Sequence, residues 1–160
     1  MFSKACEYGI RATVYIALRA QEQSRVSLKD IAREIDSPVA FTAKILQQLA
    51  KHQVVSSVKG ASGGFEMSPQ TLQNLKLTHV VMAIDGDRLY RGCGLGLKIC
   101  SEAQPCPVHH KFKKIREQVR HMLETTTILE LAEELKNGSG FLRTGLLHTS
   151  PVLPEPELLS

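Results

Sequence analysis

Apolar residues recur at helical spacing over residues 2–20, where Tyr8, Ile10, Val14, Tyr15, Ala17 and Leu18 form one broad face. The polar run from Gln21 to Ser24 ends that pattern. Ser27-Leu28-Lys29-Asp30 reads as a capping-box-like start, with Asp30 in place of the usual Glu or Gln. The short helix it opens carries Leu28, Ile31 and Ile35 on one side and stops before Asp36-Ser37-Pro38. Ser37 is expected to cap the next helix, with Pro38 at its first position. That helix, Val39 to His52, is expected to bury Val39, Ile45, Leu46 and Leu49 and to expose Thr42, Lys44, Gln47, Gln48 and Lys51. Two short helices joined by a tight turn fit a helix-turn-helix, and equally a plain helical hairpin. The exposed Thr, Gln and Lys suit the first, because such side chains hydrogen-bond base edges and phosphates.

The segment after His52 favours the helix-turn-helix. Val54-Val55-Ser56-Ser57-Val58 has strand composition, Lys59 to Gly64 form a tight basic turn, and Phe65-Glu66-Met67 begins a second strand. A helix-turn-helix followed by a glycine-tipped hairpin is the winged-helix arrangement, the alternative being a surface hairpin. Lys59 is placed to reach a phosphate or a minor groove, and the glycines let backbone amides approach a duplex. The candidate DNA-contacting set is Ser27, Lys29, Pro38, Val39, Thr42, Lys44, Gln47, Gln48, Lys59, Ser62 and Gly63.

Ser68-Pro69 closes the wing. Thr78 is expected to cap a helix, His79 to Ile84, that Asp85-Gly86-Asp87 stops. After Pro107, Val108, Phe112, Ile115, Val119 and Met122 succeed one another at spacings of four, three, four and three, flanked by Lys111, Lys113, Lys114, Arg116 and Arg120. Two heptads are too few for an autonomous coiled coil, but they suit a helix packed against its symmetry mate in a homodimer. The alternative is a stripe facing the chain's own core. Thr127 caps a last short helix, Ile128 to Leu135, closed by Asn137-Gly138. The expected fold is mainly α with a small β wing. A winged helix-turn-helix domain (1–70, with helix 2–20 also packing in the dimer) leads through a connecting helix (71–90) and a cysteine-rich loop (91–107) to a dimerisation helix and a short C-terminal helix (108–136). Residues 137–160 read as a disordered tail.

Composition narrows the class of protein. The 160 residues carry a net charge of +4 and are 42% hydrophobic and 22% charged, ordinary for a folded domain. The positive balance fits a nucleic-acid partner without requiring one. With no Trp and no aromatic stacking pattern, a duplex is a better candidate than a single strand. No apolar run is long enough to cross a bilayer, so no membrane partner is expected. The opening MFSKACEYGIRAT lacks a signal peptide's apolar core, and a cytoplasmic location is expected. No phosphate-binding glycine fingerprint or nucleophile elbow is present, so no enzymatic activity is expected.

Three of the four cysteines, Cys93, Cys100 and Cys106, lie in RGCGLGLKICSEAQPCPVHH, residues 91–110. Gly92, Gly94 and Gly96 disfavour helix and strand, so the segment reads as an irregular loop. In a reducing compartment such a cluster points to metal or catalysis rather than to disulfides. Three thiols with His109 or His110 are ligands suited to an iron–sulfur cluster or to zinc. A thiol redox enzyme is disfavoured, because no Cys-x-x-Cys pair is present. Cys6, near the start of the first helix, reads as a small buried residue.

The segments KACEYGIRA, LKDIAREIDSP, KILQQLAKHQVVSSVKGASGGF, VVMAIDGD, the cysteine triplet and TILELAEEL resemble a family of bacterial winged-helix regulators. That family includes the iron–sulfur cluster regulator IscR and the nitric-oxide sensor NsrR (the Rrf-two family), and the likeness spans residues 1–135. The resemblance implies a homodimer on a palindromic operator in double-stranded DNA, with recognition helices in major grooves and wings in minor grooves. It implies that Cys93, Cys100 and Cys106 ligate an iron–sulfur cluster that senses iron–sulfur status, redox state or nitric oxide and alters DNA affinity. His109, three residues after the last Cys, matches the fourth ligand of IscR-like 2Fe–2S sites. Glu7 of the partner subunit matches the carboxylate that completes NsrR-like 4Fe–4S sites. The uneven spacing of the cysteines departs from the family's commonest pattern and leaves the cluster type open. The alternative is a winged-helix regulator with structural zinc, or no metal, in the loop.

Overall fold

A computed structural model describes residues 1–144. Eight helices and one hairpin are arranged in the order α1 (Lys4–Gln21), α2 (Leu28–Glu34), α3 (Val39–Lys51), β1 (Ser56–Val58), β2 (Gly64–Glu66), α4 (Pro69–Asn74), α5 (Leu77–Ile84), α6 (Arg88–Arg91), α7 (His109–Thr125) and α8 (Ile128–Lys136). The expected mainly helical fold with a small β wing is what forms. The first helix is the hub of the core: α1 packs against α2, α3, α5 and α8. Its Ile16, with Ile31, Ile35, Leu46, Leu49, Val80, Val81, Leu123 and Ile128, is fully buried. At roughly 1.5–3 kcal/mol for each such side chain, this one cluster is the main favourable term in folding.

Local chemistry sets the ends of the elements. Ser3, Ser27, Ser68 and Thr127 each accept a backbone N–H three residues on, the bond that satisfies an otherwise orphaned donor at a helix start. Asp36 adopts φ 51° just after α2, a left-handed conformation that Asp tolerates better than most residues, and the chain turns there into α3. The helix-turn-helix is therefore α2, this turn and α3.

Several boundaries differ from those the pattern predicts. Pro38 takes the cap position and α3 begins at Val39 without a side-chain cap; the Ser37 hydroxyl instead lies 3.0 Å from the Thr42 hydroxyl. Ser68-Pro69 does more than close the wing. Ser68 caps α4 and Pro69, whose φ is preset for a helix, starts it. The α5 helix begins at Leu77 rather than after Thr78, because a bridge fixes the preceding backbone: Leu77 donates to Thr126 O at 2.9 Å and Ile128 to Leu75 O at 2.9 Å. The Lys76 amide then donates to His79 Nδ1 at 2.9 Å. The connecting stretch is thus three short helices, α4, α5 and α6, rather than one.

Residues 137–144, assigned from the sequence to a disordered tail, run back over the helix-turn-helix. Arg11 donates to Leu142 O at 3.2 Å and Arg143 to Arg33 O at 3.4 Å, and Leu142 packs against the core. The rest of the expected tail, 145–160, lies outside the described residues. Among the described residues no helix is long and apolar enough to cross a membrane.

Candidate nucleic-acid interface and cysteine loop

The α3 helix splits its residues between core and surface. Ile45, Leu46 and Leu49 are buried, while Lys44, Gln47 and Lys51 are exposed. Two expectations for this helix are corrected. Val39 is 44% exposed rather than buried, since the first turn of α3 stands clear of the core and leaves Pro38, Val39 and Ala40 at the surface. Thr42 is fully buried rather than exposed. Its hydroxyl donates to Pro38 O at 3.0 Å and lies 3.0 Å from Ser37 Oγ, so it braces the helix start and cannot read a base. Gln48 is exposed, as expected, but its Nε2 donates to Ala83 O at 2.9 Å, tying α3 to the end of α5. Ser27 lies at the surface, but its hydroxyl is committed to the cap, donating to Asp30 Oδ2 at 2.7 Å and accepting the Asp30 amide. Lys29 is exposed one residue beyond Leu28.

The wing is an antiparallel pair in which Ser56 faces Glu66 and Val58 faces Gly64. Its second strand also bridges Val26, with Val26 N donating to Phe65 O at 2.9 Å and Phe65 N to Val26 O at 2.8 Å. Gly64, at φ 148°, allows this, because a Cβ there would sit 2.5 Å from Val26 O. Lys59 and Ser62 project from the exposed turn, and Gly63 N donates to Gly60 O at 2.9 Å. Lys29, Pro38, Val39, Lys44, Gln47, Lys59 and Ser62 therefore lie at the surface. Gln48 is exposed too, with its amide tied to Ala83 O; Thr42 serves the fold, and the Gly63 amide closes the turn.

The cysteine loop lies along α7, which grips it at four places. His109, 4% exposed, places Nδ1 3.4 Å from Cys100 Sγ. Phe112 packs against Gly94, where a Cβ would come within 2.6 Å of the ring. Lys113 pairs with Glu102. Arg116 donates to Gly92 O at 2.8 Å and to Cys100 Sγ at 3.4 Å. Arg116, seven residues after His109, shares its helix face. Sequence reasoning placed it only among the cations flanking the stripe. A helical projection from His109 brings out this face.

The stripe expected for dimerisation divides in consequence. Val108 is the cap residue of α7, Val119 packs on the chain's own core, and Phe112 covers the loop. Ile115 and Met122, seven residues apart, are 53% and 41% exposed. Leu123, outside the stripe, is the fully buried α7 residue that anchors the helix.

The thiols differ in character. Hydrogen bonds from the Leu95 and Leu97 amides, with the Cys106 thiol and the Arg116 charge, hold Cys93 below the usual thiol range. Burial, with Asp85 beside it, pushes Cys6 up to about 12. Cys6 is accordingly an inert core residue. Glu7 forms an ion pair with Lys4 at 2.7 Å, and the Lys4 ammonium holds its carboxyl below the ordinary range.

Cys93 neighbours Cys106, and Cys100 neighbours His109, with Arg116 between the two pairs. Among the described residues no three His, Cys, Asp or Glu side chains converge as a cage for a single metal ion. The donor set nonetheless suits an iron–sulfur cluster: three thiols in one loop, and an imidazole whose Nε2 is buried without a hydrogen-bond partner. A buried nitrogen without a partner is costly, and an imidazole nitrogen of that kind suits a metal ligand.

Comparison with known proteins agrees with this architecture. Residues 2–134 match the family described as "Rrf2: Iron-dependent Transcriptional regulator". A putative HTH-type transcriptional regulator of Aquifex aeolicus is 32% identical over 133 residues, covering 82% of this chain and 90% of that protein. The HTH-type transcriptional regulator IscR of Photorhabdus laumondii is 24% identical over 124 residues, covering 78% and 74%. Among solved structures, CymR, the global cysteine regulator of B. subtilis, superposes with a TM-score of 0.69 at 21% identity, covering 83% of this chain and 96% of that one. T. potens IscR superposes with a TM-score of 0.64 at 22% identity, covering 86% and 88%. With its helix-turn-helix, wing and cysteine loop in place, the chain belongs to the Rrf2 family of iron-dependent transcriptional regulators, which are DNA-binding proteins and not enzymes.

Proposed function

We propose that the chain works as a cytoplasmic homodimer on a palindromic operator and that an iron–sulfur cluster in the 91–107 loop sets its affinity for DNA. The observation that carries this reading is the attachment of the cysteine loop to α7 through His109, Phe112, Lys113 and Arg116, while Ile115 and Met122 of the same helix stay bare. One helix then holds the sensing loop on one side and a second copy of the chain on another.

Lys44 and Gln47 of α3, with Pro38 and Val39 at its start, enter the major groove; Lys59 and Ser62 reach the minor groove or its phosphates. Lys29 neutralises a phosphate beside α2. Cys93, Cys100 and Cys106 hold the cluster, with His109 or Glu7 of the partner subunit as fourth ligand. When bound, the cluster supplies a centre that gains or loses electrons and is attacked by oxidants or nitric oxide. The side chains of α7 translate the order of the loop into the position of the helix. Two half-sites on DNA lie about 34–36 Å apart, so a small change in how two subunits pack alters operator affinity.

The test is an anaerobic visible spectrum with iron and sulfide assays on the same sample. Colour with stoichiometric iron and sulfide is expected, and two or four irons per subunit separate a 2Fe–2S from a 4Fe–4S site. A colourless protein that holds zinc, or no metal after strictly anaerobic handling, overturns the cluster reading.

A further inference from the structure

Arg25 lies outside every element that reads DNA in a winged helix, in the short step between α1 and α2. Its guanidinium nevertheless spans the wing. Nη1 donates to Ser62 O in the turn at 2.8 Å. Nε and Nη2 reach Glu66 Oε2 on β2 at 2.9 and 2.8 Å. Among the described residues it is the only side chain from outside the hairpin that hydrogen-bonds the 59–63 turn. The next residue, Val26, forms the backbone bridge to Phe65. Backbone and side chain thus fasten the hairpin to the helix-turn-helix at adjacent positions. The bridge holds the middle of β2, and Arg25 reaches from Glu66 at its end to Ser62 in the turn.

We propose that Arg25 is a positioning residue for DNA binding, a latch that with Glu66 sets the angle at which Lys59 and Ser62 meet the duplex. This rests on the reading of the wing as part of the DNA interface. A glycine-rich turn carrying one lysine has little else to order it, and an unordered turn loses conformational entropy on binding DNA. Holding the turn beforehand removes part of that cost. Glu66 matters for the opposite reason from a contact residue: a carboxylate on a DNA-facing wing repels phosphate, and its use lies in fixing Arg25.

Two variants of the chain separate this from a direct phosphate contact by Arg25. The DNA is a duplex selected from a randomised pool by the unaltered protein, with a non-selected duplex of equal length as control. The latch predicts that Arg25→Ala and Glu66→Ala each weaken binding of the selected duplex about three- to tenfold, the scale of one charge-assisted contact and the ordering it provides. The sign for Glu66→Ala is decisive. Removing a negative charge from the face that meets DNA raises affinity if Arg25 is simply a phosphate ligand restrained by Glu66. A loss occurs only if the pair holds the wing. The salt dependence of Arg25→Ala is expected to match that of the parent, whereas a phosphate contact lowers the slope by about one. The Arg25 and Glu66 side chains are 34% and 40% exposed, so solvent screening leaves at most a small change in melting temperature. Tighter binding by Glu66→Ala, or a flattened salt slope for Arg25→Ala, overturns the proposal. If Lys59→Ala leaves binding unchanged, the wing is outside the interface and the underlying reading fails; if Lys59→Ala weakens binding while both latch variants do not, the latch alone fails.

Discussion

Replacing Arg116 by Ala removes the contact that closes the cysteine loop on α7. The side chain donates one bond to a carbonyl, Gly92 O at 2.8 Å, and one to a sulfur, Cys100 Sγ at 3.4 Å. A hydrogen bond from a charged donor contributes about 1.5–3 kcal/mol when buried. Arg116 is only half-buried, so solvent screening reduces this to about 1 kcal/mol. That energy acts on the loop rather than on the fold, because the core at this helix depends on Leu123. About 1 kcal/mol corresponds to roughly a fivefold rise in the population of the open loop. Limited proteolysis of the metal-free protein measures it, since cleavage tracks the open population when opening is fast. A protease that cuts beside large apolar residues will attack Leu95, Leu97 and Ile99, which are 55%, 54% and 77% exposed. Cleavage there is expected to accelerate about fivefold in Arg116→Ala, on the same energy scale, with an unchanged melting temperature. Arg116→Lys should fall between, because one ammonium cannot span both acceptors. Cleavage at the parental rate would refute the assignment of Arg116 as the loop's anchor.

Leu123→Ala, by contrast, creates a cavity in the core and should cost about 2–5 kcal/mol, read by thermal or denaturant unfolding. Ile115→Glu places a charge on the bare face of α7 and should shift a dimer towards monomer in sedimentation while leaving the helical content intact; an unchanged mass places the dimer contact elsewhere. Lys59→Ala should weaken binding to any duplex and lower the salt slope by about one. In the native metal-free protein, a thiol reagent near pH 8 should modify Cys93, Cys100 and Cys106 but not Cys6, whose thiol is held up to about 12. Mass spectrometry before and after denaturation counts the difference, and rapid labelling of Cys6 would contradict its burial.

The order of elements was readable because it rests on local rules. Ser27 and Thr127 announce their helices by capping chemistry, and the glycine turn after Val58 announces a hairpin. What the chain pattern concealed came from contacts distant in sequence. Nothing near Thr78 says that the helix starts at Leu77; the bridge to residues 126–128 decides it. Thr42 and Gln48 are polar residues on a helix expected to read DNA; the burial of Thr42 goes with its bond to Pro38 O, and the exposed Gln48 is tied to Ala83 O. Arg25 is a single cation in a loop until the wing folds back beside it. The three cysteines were legible as one loop, but how α7 holds that loop was not, since a heptad pattern identifies a stripe without saying what covers it. Phe112 fits the stripe by spacing and covers Gly94.

The same contacts define where a change in the loop can be felt. The α5 helix packs against α1, α3 and α7, so it stands between the helix that grips the loop and the helix that would enter the groove. Both ends of the path have polar fixings at its C-terminus. Ala83 O takes Gln48 of α3 at 2.9 Å, and Asp85 accepts the Ser3 amide at 2.8 Å and the Ser3 hydroxyl at the start of α1. From Asp85 the chain runs through α6 to Gly92, whose carbonyl Arg116 holds. Close-packed elements of this kind shift as units rather than deform. A movement of α7 that repositions Gly92 would act on α6 and on the end of α5, the elements joined to it, and Gln48 is bonded to that end through Ala83 O. Gln48, exposed beside Gln47 yet tied by its amide to Ala83 O, is the α3 side chain that joins the recognition surface to the end of α5.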